Sequence, residues 1–234
     1  FPPLQAAIIE GLAGTNARLV IGENCYMYGD TGGQPLTEDL PYKAHTRKGK
    51  VRAAMSEAAL ATHRAGRVQI AIGRGSDFFG PWALGSSHGE RVFYPALAGK
   101  AASFGGRLDL PHTATYVGDF GKALVTLGER EESLGQAWHV PNDRPQITQR
   151  QFAELVFQEL GLPTRVSSVG KLMLAMVGLF VPAARESVEM MYEFEKPFVV
   201  DSSKFERTFG VEPTPIADAI KATVAWYREH PIGS

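Results

Sequence analysis

Two short stretches gather the side chains that have chemistry to offer. Glu23, Asn24 and Cys25 follow one apolar run, and Arg74, Gly75 and Asp77 follow another. Between them stand Tyr42, His45, Thr46 and Lys50, and His112 comes later. Asn24 donates and accepts hydrogen bonds but is no acid. Tyr42 and His45 are the groups able to exchange a proton, and an imidazole titrates in the useful range. Asp77 suits a substrate-facing carboxylate or, equally, an aspartate capping a local turn. Arg74, at a strand end, suits a substrate contact or an anchor for carbonyls and an acidic neighbour. No Cys/His cluster has metal-ligand spacing, so no metal is expected.

The elements that must position these groups can be read from periodicity. Leu4, Ala7, Ile8 and Leu12 fall on one helical stripe, Gly14 ends it, and Arg18 to Gly22 is a short apolar strand. Gly29 to Pro41 has loop composition. Thr46 to His63 reads as a helix with Val51, Ala54, Met55, Ala58 and Thr62 inward and Arg47, Arg52, Glu57 and Arg64 outward. Val68 to Ile72 is a second buried-type strand. Helix, strand, loop, helix, strand is the rhythm of a doubly wound parallel sheet, which binds ligands beyond the carboxyl ends of its strands. The loops from Glu23 and from Gly73 are therefore where chemistry is expected.

After Pro81 the alternation gives way to a mixed pattern. Glu90 to Gly99 suits a helix and Trp138-His139-Val140 a strand. Thr148 to Gln151 has capping-box spacing ahead of Phe152, Leu155, Val156 and Leu160, with Gly161 as the stop. Pro215 suits a first helical position before Ile216, Ala219, Ile220, Thr223, Val224 and Tyr227. The run from Lys171 to Val181 reads as a lobe helix or a homodimer contact, and Arg185, Glu186, Glu189 and Glu193 as a ligand rim or, by default, a solvated face. Tyr116 and Asp119 read as structural, the aspartate as a helix cap.

The 234 residues are 44% hydrophobic and 21% charged with a net charge of −1, ordinary values that give no reason to expect nucleic acid. The longest apolar run is well short of the ~20 residues that cross a bilayer, so no membrane span is expected. A single cysteine leaves no internal disulfide and suits a reducing, cytoplasmic setting.

Three local patterns resemble the extended short-chain dehydrogenase/reductase family, which includes nucleotide-sugar epimerases and dehydratases. Leu19-Val-Ile-Gly-Glu-Asn-Cys-Tyr-Met-Tyr-Gly29 is similar to its strand leading to a V-Y-G ending. Arg74-Gly-Ser-Asp77-Phe-Phe-Gly80-Pro81 is similar to its R-x-x-N-x-Y-G-P segment, and His112-Thr-Ala-Thr-Tyr116-Val117-Gly-Asp119 to its R-D-F-x-x-V-x-D segment. Asp201-Ser-Ser-Lys204, Thr214-Pro215 and the helix to Trp226-Tyr227 resemble the family's C-terminal stretch. The resemblance implies the C-terminal part of a doubly wound, Rossmann-type α/β sheet with a smaller mixed substrate lobe. It assigns residues 1–81 to the dinucleotide-binding domain and 82–234 mainly to the lobe, with late elements returning to the core. No glycine pair here opens a helix directly after a strand. An upstream part on the order of 80 or more residues, carrying that fingerprint, is therefore expected.

The same resemblance implies NAD or NADP as cofactor and a small hydroxylated substrate. The family's S…Y-x-x-x-K set aligns best with Asn24, Thr46 and Lys50. Lys50 would contact the nicotinamide ribose, with Gly22, Asn24 and Gly75 beside the cofactor. Thr46 cannot replace a tyrosine acid, which leaves Tyr42 and then His45 as candidate proton donors, and Lys48 or Arg52 could take the cation's place after a small shift in register. Asp77, Arg74 and His112 would line the substrate cleft. His112 in place of an arginine weakens the case for a sugar nucleotide, because imidazole lacks the bidentate fork. A sensor that kept the fold and lost the reaction would show the same two departures at positions 24 and 46.

Overall fold

The computed structural model describes residues 1–231. In chain order its main elements are α1 (Pro2–Leu12), β1 (Arg18–Glu23), α2 (Arg47–Arg64), β2 (Gln69–Arg74), β3 (Asp77–Phe79), α3 (Glu90–Leu97), β4 (Ala102–Gly105) and β5 (Ala114–Tyr116). There follow α4 (Val117–Glu129), β6 (Ala137–His139), α5 (Gln149–Leu160), β7 (Val166–Val169), α6 (Lys171–Val177), α7 (Pro182–Val188), α8 (Tyr192–Glu195), α9 (Ser203–Phe209) and α10 (Ile216–Glu229).

The central sheet has the order β1-β2-β6 and is parallel throughout. Parallel strands need helical crossovers, and helices accordingly cover both faces. On one face α1 and α2 bury Ile9, Ala59, Ile70 and Ile72. On the other, α4 and α9 bury Ala123, Leu127, Trp138 and Phe205. Elements from well beyond residue 81, β6 and α4, thus belong to this sheet. β1 forms its margin, with no strand on its outer side among the described residues.

The second lobe is built from two parallel pairs, β3 with β5 and β4 with β7, wrapped by α3, α5 and α10. Its core includes Phe79, Phe93, Phe104, Phe152 and Tyr227, and each such side chain contributes roughly 1.5–3 kcal/mol on burial. The six inward positions expected of α10 are all buried, although Pro215 stands one place earlier, at the N-cap. The capping box of α5 forms as expected. Thr148 accepts from the Gln151 amide at 3.1 Å, Gln151 accepts from the Thr148 amide at 2.9 Å, and Gly161 closes the helix at φ 68°.

Three expectations are corrected. Leu4 and Ile8 of α1 are exposed, and Ile9 instead faces the core while Gln5 donates to the Met55 carbonyl. The buried face of α2 is Gly49, Met55, Ser56 and Ala59, not the stripe through Val51, Ala54 and Ala58. Asp119 does not cap α4. It accepts from the Thr214 amide at 2.8 Å and hydroxyl at 2.6 Å, pinning the entry to α10. Among the described residues no helix is long and apolar enough to cross a membrane.

Candidate functional site

A cleft of about 1410 Å³ opens beyond the carboxyl ends of β1 and β2, where a parallel sheet presents its loops. Asn24, Cys25 and Tyr26 line it from the first loop, and Gly75, Ser76 and Asp77 from the second. The two loops are joined directly, since the Gly75 amide donates to the Glu23 carbonyl at 3.0 Å. Ser76 pins the second loop to β5 through its amide to Thr115 Oγ1 at 2.8 Å and its hydroxyl to the Thr113 carbonyl at 2.6 Å. A side chain at position 75 would displace its neighbours, because a Cβ would come within 2.6 Å of the Phe78 ring. Arg47, Lys48, Val51 and Arg52 of α2 line one side, and Met173, Val177 and Met190 line an apolar side.

Asp77 is held from behind. His112 Nε2 stands 2.6 Å from Asp77 Oδ2. The imidazole is itself fixed by near-parallel stacking on Phe194 at 4.6 Å, Phe198 at 5.3 Å and His88 at 5.5 Å. Burial would lift the Asp77 carboxyl, but the hydrogen bond and charge of His112 prevail and hold it below the usual range. Burial pushes His88 down to about 3, so that ring is neutral. The ligand atoms of Asp77, His88 and His112 lie within 4.8 Å of one another. Two ligands on one tetrahedral zinc stand about 3.3 Å apart, whereas Asp77 and His112 already close on each other at 2.6 Å. The trio is a hydrogen-bonded and stacked support for Asp77.

Glu193 of α8 lines the same cleft and is 3% exposed. Burial, and then the negative charge of Asp77, push its carboxyl well above the ordinary value, against a weak opposing hydrogen bond from Tyr192 at 3.3 Å. The expectation of a solvated acidic face thus holds for the exposed Glu186 but not for Glu193. The available signal was its setting, since Met190, Met191, Tyr192 and Phe194 flank it in sequence.

Behind the cleft floor lies a closed polar knot. The fully buried Arg74 donates to Glu23 at 3.1 Å, to Tyr28 at 2.6 Å, to Ser56 at 2.6 Å and to the Tyr42 hydroxyl. The Tyr28 hydroxyl donates to His139 Nε2 at 2.8 Å, and His139 Nδ1 donates to the Asp201 carbonyl at 2.9 Å. Burial pushes His139 down to about 3, consistent with a neutral ring in that role. Burial also outweighs Arg74's charge at Glu23, whose carboxyl lies above the usual range.

The structure therefore brings Asn24, Gly75 and Asp77 together in the cleft with His112 directly behind. It places Arg74 and Tyr42 in the buried knot instead, where the Tyr42 hydroxyl is engaged by Arg74 and Ser56. Thr46 is buried as the N-cap of α2 and accepts from the Gly49 amide at 3.1 Å. Lys50 is exposed on the outer side of α2, away from the cleft lining, and the cations at the cleft are Arg47, Lys48 and Arg52 of α2 with Arg91 of α3. Lys48 is paired with Glu186 at 3.2 Å. Gly22 faces the Phe120 ring of α4 and takes no part in the lining. His88 and Glu193 complete the cluster; the sequence offers Glu193 only as one of four residues of a candidate ligand rim and does not mark His88.

The residues at the strand ends can be weighed against a dinucleotide by the groups they offer. Asn24 supplies an amide at the end of β1 and the anionic Asp77 stands beyond the end of β2, whereas the position of Gly75 is filled by the Phe78 and Phe120 rings. No glycine-rich turn opens a helix after β1 or β2 to receive phosphates.

No family model matches the chain, and no curated protein matches it in sequence. Solved structures do match. The dTDP-glucose 4,6-dehydratase of Bacillus anthracis str. Ames, in complex with NAD, is 17% identical with a TM-score of 0.74, over 97% of this chain and 66% of that one. A UDP-N-acetylglucosamine 4-epimerase from Methanobrevibacter ruminantium M1, in complex with UDP-N-acetylmuramic acid, is 14% identical with a TM-score of 0.77, over 98% and 69%. RMD from Pseudomonas aeruginosa, complexed with NADPH, is 12% identical with a TM-score of 0.73, over 97% and 72%. The chain spans 64–66% of the length of the first two dehydratase structures it matches. Its fold is thus that of the C-terminal part of Rossmann-type epimerase and dehydratase structures, the fold its three motif resemblances imply.

Proposed function

We propose that this chain forms the substrate-facing part of an NAD(P)-dependent protein of the extended dehydrogenase/reductase family. Its class of reaction would be redox, epimerase or dehydratase chemistry on a small hydroxylated, sugar-type substrate. The observation that carries this reading is the convergence of Asn24, Gly75 and Asp77 at the carboxyl ends of two adjacent parallel strands, inside one cleft. A bound nicotinamide would supply or accept hydride there. In that arrangement Asn24 orients a substrate oxygen, Asp77 accepts from a hydroxyl, and His112 keeps Asp77 ionised. Arg47 and Arg52 offer guanidinium groups to an anionic part of the ligand. Lys50 acts on the ribose only if the cofactor passes over the outer side of α2.

The alternative, a dinucleotide-binding sensor without turnover, draws support from the engagement of Thr46 in a helix cap and of Tyr42 with Arg74. Amide chemical-shift mapping of the chain with NADH, NADPH and nicotinamide mononucleotide tests the common core of both readings. Shifts are expected at Asn24, Gly75 and Asp77. Because the chain offers no phosphate cradle, binding by this piece alone is expected to be weak and the ligands are used in large excess; shifts confined to the far side of the sheet would remove the nicotinamide assignment.

A further inference from the structure

We propose that Glu193 is the group that delivers a proton to an oxygen atom of the substrate in this cleft, a part that neither Thr46 nor Tyr42 is placed to play. This rests on the cleft being the reaction site, as proposed above.

The argument begins with position. Glu193 lines the cleft together with Asn24, Gly75 and Asp77, yet its side chain is almost wholly removed from solvent. Its helix is tied to the Asp77 support through Phe194. Phe194 stacks on His112, the Phe194 carbonyl accepts from the Arg107 amide at 2.9 Å, and the Glu193 amide donates to the Met190 carbonyl at 3.2 Å. Two carboxyls in one apolar cleft do not both ionise cheaply, and the one with the better partner takes the charge. Asp77 has His112. Glu193 has the Tyr192 hydroxyl, with Asp77 from β3 facing it and the Tyr26 and Cys25 side chains of the loop after β1 nearby; the charge acting on it is Asp77's, of the same sign. Glu193 is therefore the carboxyl that keeps its proton. This is the division of labour expected of an acid and a fixed anion set by unequal surroundings.

The step itself is a proton transfer. The Glu193 O–H bond breaks, an O–H bond forms at the substrate oxygen, and Glu193 is left as a carboxylate that regains its proton from hydronium or buffer acid admitted once the product has left. The matching hydride at the neighbouring carbon is the chemistry that a reduced nicotinamide supplies.

Infrared difference spectroscopy tests the idea without cofactor. At neutral pH the chain should show a carboxylic-acid C=O band that disappears in Glu193→Gln and titrates at lower pH in Asp77→Asn, which lacks the neighbouring charge. Absence of that band, or its persistence in Glu193→Gln, overturns the proposal whether or not dinucleotide binds. With the carbonyl-13C-labelled probe hydroxyacetone, the wild-type chain should lower the probe's C=O frequency and Glu193→Leu should not. An equal shift in both proteins would place the donor elsewhere, while failure of the NADH mapping alone would leave the acid assignment standing and remove only the cofactor.

Discussion

Arg74 offers the sharpest test of how this fold is held. Replacing it with methionine keeps most of the stem's volume and removes the guanidinium. The structure then loses donors to Glu23, Tyr28, Tyr42 and Ser56 at once. Glu23 is left buried with one carboxylate oxygen that has no hydrogen-bond partner even now. Breaking a buried pair by removing one partner costs about 3–5 kcal/mol. For a chain of this size that lowers the melting temperature by roughly 6–20 °C. Urea denaturation followed by tryptophan fluorescence should show the loss, and Arg74→Met/Glu23→Leu should recover more than half of it, because the stranded charge is then gone. The deficit should also depend on pH. Glu23's folded value already lies above the free one, and losing Arg74 raises it further. A carboxyl with a raised folded value contributes its full stability below its unfolded pKa and loses it as pH rises through the folded pKa. The variant should therefore regain stability as pH falls from 7 towards 5, with a slope of up to about 1.4 kcal/mol per pH unit. A loss under about 1 kcal/mol, or no rescue by the double substitution, would refute the picture of Arg74 as the partner that makes Glu23's burial tolerable.

Other parts of the molecule give narrower tests. Thr148→Ala removes half of the α5 capping box and should cost about 1 kcal/mol in chemical denaturation. Asp119→Ala frees both the amide and the hydroxyl of Thr214 and should cost about 2–3 kcal/mol, with amide exchange at the start of α10 rising in step. His112→Phe keeps a ring between its stacked neighbours but strips Asp77 of its donor, for an expected loss of about 1–3 kcal/mol at neutral pH. Because Asp77's folded value is depressed, its contribution is present above the unfolded carboxylate pKa and fades as pH falls through the folded one, so the gap between wild type and variant should close in acid. Gly75→Ala drives a methyl group into the Phe78 ring and should cost about 1–3 kcal/mol while disturbing the cleft amides in NMR spectra.

How far the sequence reveals this molecule depends on the scale of the signal. α10 is legible to the residue because its six apolar positions recur at helical spacing against a single core. The inward side of α2 is not, since the protein is met there by Gly49 and Ser56. One is small enough for a close approach to the Tyr26 carbonyl, the other is needed as an acceptor for Arg74, and neither is apolar. Asn24, Gly75 and Asp77 are legible because strand ends in a parallel sheet announce where a cleft must lie. Glu193 and His88 are joined to that cleft only by tertiary packing, so the chain offers Glu193 as no more than one of four acidic and basic rim candidates and leaves His88 unmarked. Tyr42 and Arg74 have the right chemistry for a reaction but spend it on one another, which only coordinates reveal.

The margin of the central sheet has a consequence of its own. Arg18–Glu23 presents an outer row of amides and carbonyls that no described strand answers, and Leu19, Val20 and Ile21 are only half-buried. Natural edge strands are commonly guarded by charges, prolines or bulges. Here Arg18 is engaged by Glu131 at 3.2 Å and Glu23 is turned inward to Arg74, so the stretch between them is unguarded. Handled by itself in solution, the polypeptide should adhere to copies of itself along this strand as its concentration rises. Any extended segment that hydrogen-bonds there would widen the sheet and quench that stickiness together.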